Sequence, residues 1–166
     1  MPTDDNLKAA FAGESQASRK YIAFAKKAEA ERFPQVAKLF RAAAEAETIH
    51  AQAHLRVLGG VKSTAENLQT AIDGEAYELR EMYPKFVAEG QQEDRQGAVN
   101  SFRNAMRVEQ THHGLYTEAL KAVKAGIDLP SASVYVCNVC GHTVVGAAPD
   151  KCPVCGARHE QFTAIP

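Results

Sequence analysis

The first 136 residues of this 166-residue chain contain no cysteine. That excludes a disulfide framework spread through the fold, as small secreted domains use. Charge of either sign is not in excess: Lys and Arg number 19, Asp and Glu 20. A basic nucleic-acid footprint is therefore absent, and no polybasic run suits an acidic membrane surface. No apolar run approaches the ~20 residues that a membrane span needs. Met1 to Leu7 carries Asp4 and Asp5 and no apolar h-region, unlike a secretory signal. These absences lead us to expect a cytoplasmic protein with neither nucleic acid nor membrane as partner.

The chain is instead rich in Ala, Glu, Lys, Gln and Leu from Asp4 to Gly126, all good helix formers. Thr3 or Asp4 can cap a first helix running to about Arg32. Pro34 suits the first turn of a second, which Gly59-Gly60 ends. Ser63-Thr64 with Glu66 opens a third, and a fourth starts near Gln92 and stops at Gly126. Four long segments with short links predict a mainly α bundle over 1–126, with a longer crossover expected before the third helix. Pro84 interrupts that helix. Residues 127–133 read as a linker. In 134–166 the composition shifts to Val, Cys, Gly and Pro, with short strands expected at Val134–Val136 and Thr143–Val145.

Two Glu-x-x-His motifs stand in the helical part, Glu47/His50 and Glu109/His112, separated by 62 residues. Spacing i, i+3 turns carboxylate and imidazole to one helix face. Glu14 lies 33 residues before Glu47, and Glu75 lies 34 before Glu109. Tyr21/Phe24 and Tyr83/Phe86 repeat at the same 62-residue offset, so the two halves are copies of one helical pair. A bundle di-iron site uses this set: one glutamate from each of two helices and a Glu-x-x-His from each of the other two. Bridging carboxylates offset the charge of two cations, and imidazoles add neutral ligands. Any one of these glutamates alone would read as a solvated helix residue; the repeated constellation does not.

Glu78, three residues after Glu75, is a seventh donor with no counterpart, since Ala17 occupies that place after Glu14. The repeat also slips by one residue between Glu75 and Tyr83. A single extra residue in a helix is commonly absorbed as a π-bulge, so a local irregularity is expected there. His54 is either an accessory or an exposed residue. His113 points ~100° away from His112, and His142 and His159 read as surface residues.

The four cysteines form two knuckles, Cys137-x-x-Cys140-Gly and Cys152-x-x-Cys155-Gly, 11 residues apart. A segment this small needs the metal for much of its folding energy. Four thiolates suit zinc or iron; a redox-active bundle beside them favours iron.

Together, Phe11-Ala-Gly-Glu-Ser-Gln-Ala17, Glu47-Thr-Ile-His50, Gly74-Glu-Ala-Tyr-Glu78 with Met82-Tyr-Pro84, Glu109-Gln-Thr-His112 and the cysteine pairs resemble the rubrerythrins in family order over nearly the whole chain. The resemblance implies a ferritin-like four-helix bundle with two iron ions and a rubredoxin-like C-terminal domain with one. It implies a peroxidase that reduces hydrogen peroxide to water in oxidative-stress defence. Electrons would come from NAD(P)H through a separate donor such as a rubredoxin or its reductase. It further implies a homodimer in which the cysteine site of one subunit commonly lies near the di-iron site of the other. By the same resemblance Glu47 and Glu109 bridge the irons, Glu14 and Glu75 are terminal ligands, and His112 binds one iron. The other iron exchanges Glu78 for His50 on reduction, and Tyr21 and Tyr83 hydrogen-bond near the carboxylates. Gln110, where a second acidic residue is expected, and a slightly short inter-knuckle loop depart from the pattern. A ferroxidase is the alternative enzyme; a non-catalytic bundle with a structural zinc ribbon is the third reading.

Overall fold

The computed structural model describes residues 1–166. The chain divides into two compact units, Met1–Lys62 and Ser63–Pro166. Each is built around one helical hairpin, and the two hairpins are the two halves of the sequence repeat.

The first unit is α1 (Pro2–Ala30) packed on α2 (Pro34–Val57). Pro2 and Pro34 sit in first turns, where a missing N–H costs nothing. Asp4 and Asp5 place negative charge at the α1 N-terminus, as the helix dipole favours. The interface is lined with small residues: Ala25, Ala28, Ala37, Ala44 and Ala51 are buried, with Ser18 among them. The Thr48 hydroxyl donates to the Ala44 carbonyl, which leaves its oxygen to accept from Ser18 at 2.9 Å. The buried hydroxyl is thereby satisfied.

The second unit begins at α3 (Thr64–Tyr77), opened by the expected capping box of Ser63 and Glu66. A π-helical turn, Glu78–Met82, follows, and the helix continues as α4 (Tyr83–Gln92). The irregularity expected between Glu75 and Tyr83 is therefore present. Tyr83 N–H bonds to the Glu78 carbonyl, five residues back, and Pro84 lies just beyond, where its lost donor falls at the seam. The return helix is α5 (Gln96–Lys124), which starts four residues later than the sequence suggested and stops just before Gly126.

The repeat extends to the packing. Tyr21, Phe24 and Phe40 form an aromatic triad with ring centroids 6.2, 6.2 and 5.6 Å apart. Tyr83, Phe86 and Phe102 form its counterpart at 6.3, 6.3 and 5.5 Å. Where the first hairpin buries Ala28 and Ala37, the second buries Gly90 and Val99. A Cβ on Gly90 would stand 3.1 Å from Val99 Cγ2, so one small residue accommodates the other's added bulk.

Six residues, 58–63, join α2 to α3, not the longer crossover expected. Three of them belong to the α2 cap. Gly59 N–H bonds to the Arg56 carbonyl and Gly60 N–H to the Leu55 carbonyl, a Schellman arrangement closed by Gly59 at φ 66°.

After α5 the chain forms a three-stranded antiparallel sheet in the order β2-β1-β3, with β1 Val134–Cys137, β2 Thr143–Val145 and β3 Phe162–Ile165. The first two strands were expected. β3 was not, because Phe162-Thr-Ala-Ile165 is a short run whose pairing to β1, Cys137 opposite Phe162, is set by the knuckles.

Candidate metal centre

In the first unit α1 and α2 bring Glu14, Glu47 and His50 together, with ligand atoms all within 4.8 Å of one another. His50 Nδ1 lies 2.9 Å from Glu47 Oε2. The His50 hydrogen bond, then that of Glu14, holds the Glu47 carboxyl below the usual range. His50 itself is exposed. The same α2 face carries Val36, Leu39 and Val57, exposed by 45, 70 and 73%.

In the second unit α3 and α5 gather Glu75, Glu109 and His112 by the same criterion. His112 Nδ1 is 3.0 Å from Glu109 Oε2 and 3.6 Å from Glu75 Oε1. Burial, reinforced by Glu109 and Glu78, pushes the Glu75 carboxyl up to about 8. Its Oε2 is buried without any hydrogen-bond partner. An orphaned carboxylate oxygen beside other carboxylates is what a bound cation would resolve, so the residues fit a metal.

Glu78, at the start of the π turn, is outside this three-donor cluster, yet its carboxyl is raised by burial and by the charge of Glu109. The Tyr83 hydroxyl is raised by burial and by Glu78, Glu109 and Glu75, which places it in the field of the set. Tyr21 lies in the aromatic triad of the first unit. His54 and His113 belong to neither set.

The four cysteine sulfurs also meet within 4.8 Å. Cys137 and Cys155 Sγ are 3.8 Å apart, Cys140 and Cys152 Sγ 3.6 Å, all as free thiols. Burial raises the Cys140 thiol, and the other three sulfurs add to it against the His142 backbone N–H that points at it. At Cys152 burial is outweighed by the backbone N–H groups of Cys155 and Val154, bringing the thiol down to about 7. Glycines at positive φ, Gly141 at 83° and Gly156 at 76°, close both knuckles. Four convergent sulfurs with backbone donors fit a tetrahedral metal.

The cysteine module touches α5 of its own chain. Arg107 donates through Nη1 to the Val154 carbonyl at 2.7 Å and through Nη2 to the Pro153 carbonyl at 2.6 Å. His112 Nε2 is 2.9 Å from Thr143 Oγ1. His142 is half-buried with a buried, unpartnered Nδ1, so the expectation of a surface residue fails there; the module turns it inward. His159 is exposed as expected. Sequence reasoning missed Arg107 and Thr143. A lone Arg on a charged helix and a Thr in a strand carry no motif; only the fold brings them to the site.

The family model described as Rubrerythrin matches residues 5–120, and that of the rubrerythrin rubredoxin-like domain matches 135–163. The chain belongs to the rubrerythrin family. Rubrerythrin-2 of Clostridium acetobutylicum is 32% identical over 177 residues, spanning 98% of this chain and 96% of that protein. Nigerythrin of Nitratidesulfovibrio vulgaris is 35% identical over 176 residues, spanning 98% and 86%. The solved structure of fully reduced, all-ferrous nigerythrin aligns with TM-score 0.59 at 34% identity, again over 98% and 86%. Rubrerythrins carry a ferritin-like di-iron centre and a rubredoxin-like iron at four cysteines, and serve peroxide detoxification in oxidative stress. No helix here is long and apolar enough to cross a membrane.

Proposed function

We propose that this protein is a cytoplasmic peroxidase that reduces hydrogen peroxide to two waters with two electrons and two protons. The observation that carries it is the pair of matching three-donor sets, supplemented on one side only by Glu78 on a π turn. Glu14, Glu47 and His50 would hold one part of a di-iron centre; Glu75, Glu109 and His112 the other; Glu47 and Glu109 would bridge. A diferrous pair held by these residues would supply both electrons together, which allows O–O cleavage without release of a hydroxyl radical.

The chain's own residues do the rest. The carboxylates balance the cationic charge and shuttle protons. Glu78 and His50 would be alternative donors to one metal, a hard carboxylate suited to the ferric state and an imidazole to the ferrous. Tyr83, and Tyr21 by the same resemblance, would offer hydroxyl protons near the carboxylates. Cys137, Cys140, Cys152 and Cys155 hold the third iron, through which electrons arrive from an NAD(P)H-linked donor protein, a rubredoxin or its reductase.

The working unit is a homodimer with shared centres. A ferritin-like bundle joins its second and third helices by a long crossover. Glu47 lies ten residues before the end of α2 and Glu75 eleven after the start of α3, so a crossover must climb roughly 30 Å. The six residues 58–63 reach at most about 25 Å fully extended, and half of them are folded into the α2 cap. On this reading the first hairpin of one copy would meet the second hairpin of the other.

The test is the visible spectrum of anaerobically reduced, iron-loaded protein before and after one equivalent of hydrogen peroxide. Rapid return of the iron–thiolate bands with near-ultraviolet diferric absorption supports the peroxidase. Fast reaction with dioxygen and slow reaction with peroxide would make it a ferroxidase. Absence of iron–thiolate colour would make the cysteine module a structural zinc ribbon.

A further inference from the structure

His112 has two ring nitrogens with different tasks. Nδ1 faces Glu109 at 3.0 Å and Glu75 at 3.6 Å, the metal side. Nε2 faces away, to Thr143 Oγ1 at 2.9 Å. The Thr143 hydroxyl has a second neighbour: it donates to the Gly141 carbonyl at 3.3 Å. When a cation takes the Nδ1 lone pair, the hydrogen of a neutral ring sits on Nε2, and the Thr143 oxygen, its own proton directed at Gly141, is there to accept it. That favours the tautomer that leaves the Nδ1 lone pair free for a metal.

The same contact reaches the other metal site. Gly141 is bonded to Cys140, whose sulfur also receives the His142 backbone N–H. From Cys140 the chain runs through Gly141 to Thr143 and, by two hydrogen bonds in series, to the imidazole of His112. On the opposite knuckle, Arg107 grips the consecutive carbonyls of Pro153 and Val154, between Cys152 and Cys155. Arg107 is five residues from His112 on α5. A guanidinium fork donating twice to adjacent carbonyls fixes orientation as well as distance.

We propose that Thr143, held in place by the Arg107 clamp, is a positioning residue that sets the His112 tautomer and joins the four-cysteine site to the di-iron centre through a continuous hydrogen-bonded path within one chain. With both sites loaded, one electron from a ferrous four-thiolate iron, itself becoming ferric, would have this path to the oxidised di-iron centre; the second electron of a full return to the reduced state would come from the donor protein by the same path. The inference rests on the peroxidase reading only for the source of the oxidised centre.

The experiment compares Thr143→Val, which keeps the shape and removes the hydroxyl, with Thr143→Ser, which keeps the hydroxyl. Two readouts are taken on the full-length protein. In zinc-loaded protein, nitrogen-15 NMR of His112 reports the tautomer and competition with a chelator reports affinity. In iron-loaded, reduced protein, stopped-flow after one equivalent of peroxide separates oxidation of the di-iron centre from the later return of the iron–thiolate bands. In T143V we expect loss of the single Nε2–H tautomer, about tenfold weaker metal binding, and an iron–thiolate phase slowed about tenfold or more, by a larger factor than the di-iron phase. T143S should stay within about twofold of the parent on all counts. Arg107→Ala should slow the iron–thiolate phase while leaving the tautomer less affected than T143V does. An unchanged iron–thiolate phase and tautomer in T143V, or a T143S variant as impaired as T143V, would overturn the proposal. A parent protein with no peroxide-driven phase at all would refute the peroxidase reading, while the tautomer and affinity measurements would still decide the role of Thr143.

Discussion

Arg32 and Asp94 stand 62 residues apart and share one unusual backbone conformation, φ 65° and 53°. Each closes a helical hairpin. Phe33 N–H bonds to the Ala28 carbonyl at 2.8 Å, and Arg95 N–H to the Gly90 carbonyl at the same distance. These are the only non-glycine residues with positive φ, and they occupy the place where helices usually end in glycine. Arg32→Gly should raise stability by about 0.5–1 kcal/mol by relieving that conformation. Asp94→Gly should gain less, because Asp tolerates the left-handed region better. Chemical denaturation checks both; a loss of stability in Arg32→Gly would show that its side chain contributes more than the strain costs.

Glu75 gives the metal-free protein a pH dependence of definite sign. Its carboxyl is raised from 4.5 to about 8 in the folded state, chiefly by burial and by Glu109. Folding therefore favours the protonated form. That stability is fully present below pH 4.5 and is lost as pH rises through about 8. Protein stripped of metal should melt at progressively lower temperature over that window, and Glu75→Gln should flatten the slope. Metal loading should reverse the trend, because the cation favours the ionised carboxylate. Thermal melts across the window, with and without zinc, read the effect directly.

Glu78→Ala separates the π turn from the ligand it presents. The turn is a backbone feature sealed by Tyr83 N–H to the Glu78 carbonyl, which the substitution keeps. Helix content should be unchanged, while peroxide turnover falls about tenfold or more if Glu78 serves the oxidised centre. Unchanged turnover would remove Glu78 from the mechanism.

Much of this was legible in the chain because the determinants are local. The Glu-x-x-His spacings, the capping box at Ser63/Glu66 and the one-residue slip before Tyr83 each act within one or two turns of helix, and the structure realises each one. Arg107, Thr143 and the inward turn of His142 were not legible, because each depends on the cysteine module lying against α5, in contacts that join residues 31 to 47 positions apart. The longer crossover expected before the third helix is absent for a different reason: only residues 58–63 join α2 to α3, and the α2 cap, closed by Gly59, takes half of them.

That shortness can be tested by complementation. One variant carries Glu47→Ala and His50→Ala, which disable the first-hairpin set; another carries Glu109→Ala and His112→Ala, which disable the second. Neither alone can form a complete centre. If each centre takes its first hairpin from one copy and its second from the other, a heterodimer of the two variants pairs both damaged sets in one centre and both intact sets in the other. Co-expressed and purified through two different tags, the heterodimer should therefore regain one full di-iron centre, half the near-ultraviolet absorption of the parent dimer. If each chain closed its own bundle, every centre in the mixture would contain a damaged set and no absorption would return. Sedimentation supplies the complementary check, since a monomer that retains the full diferric spectrum would be incompatible with centres shared between copies.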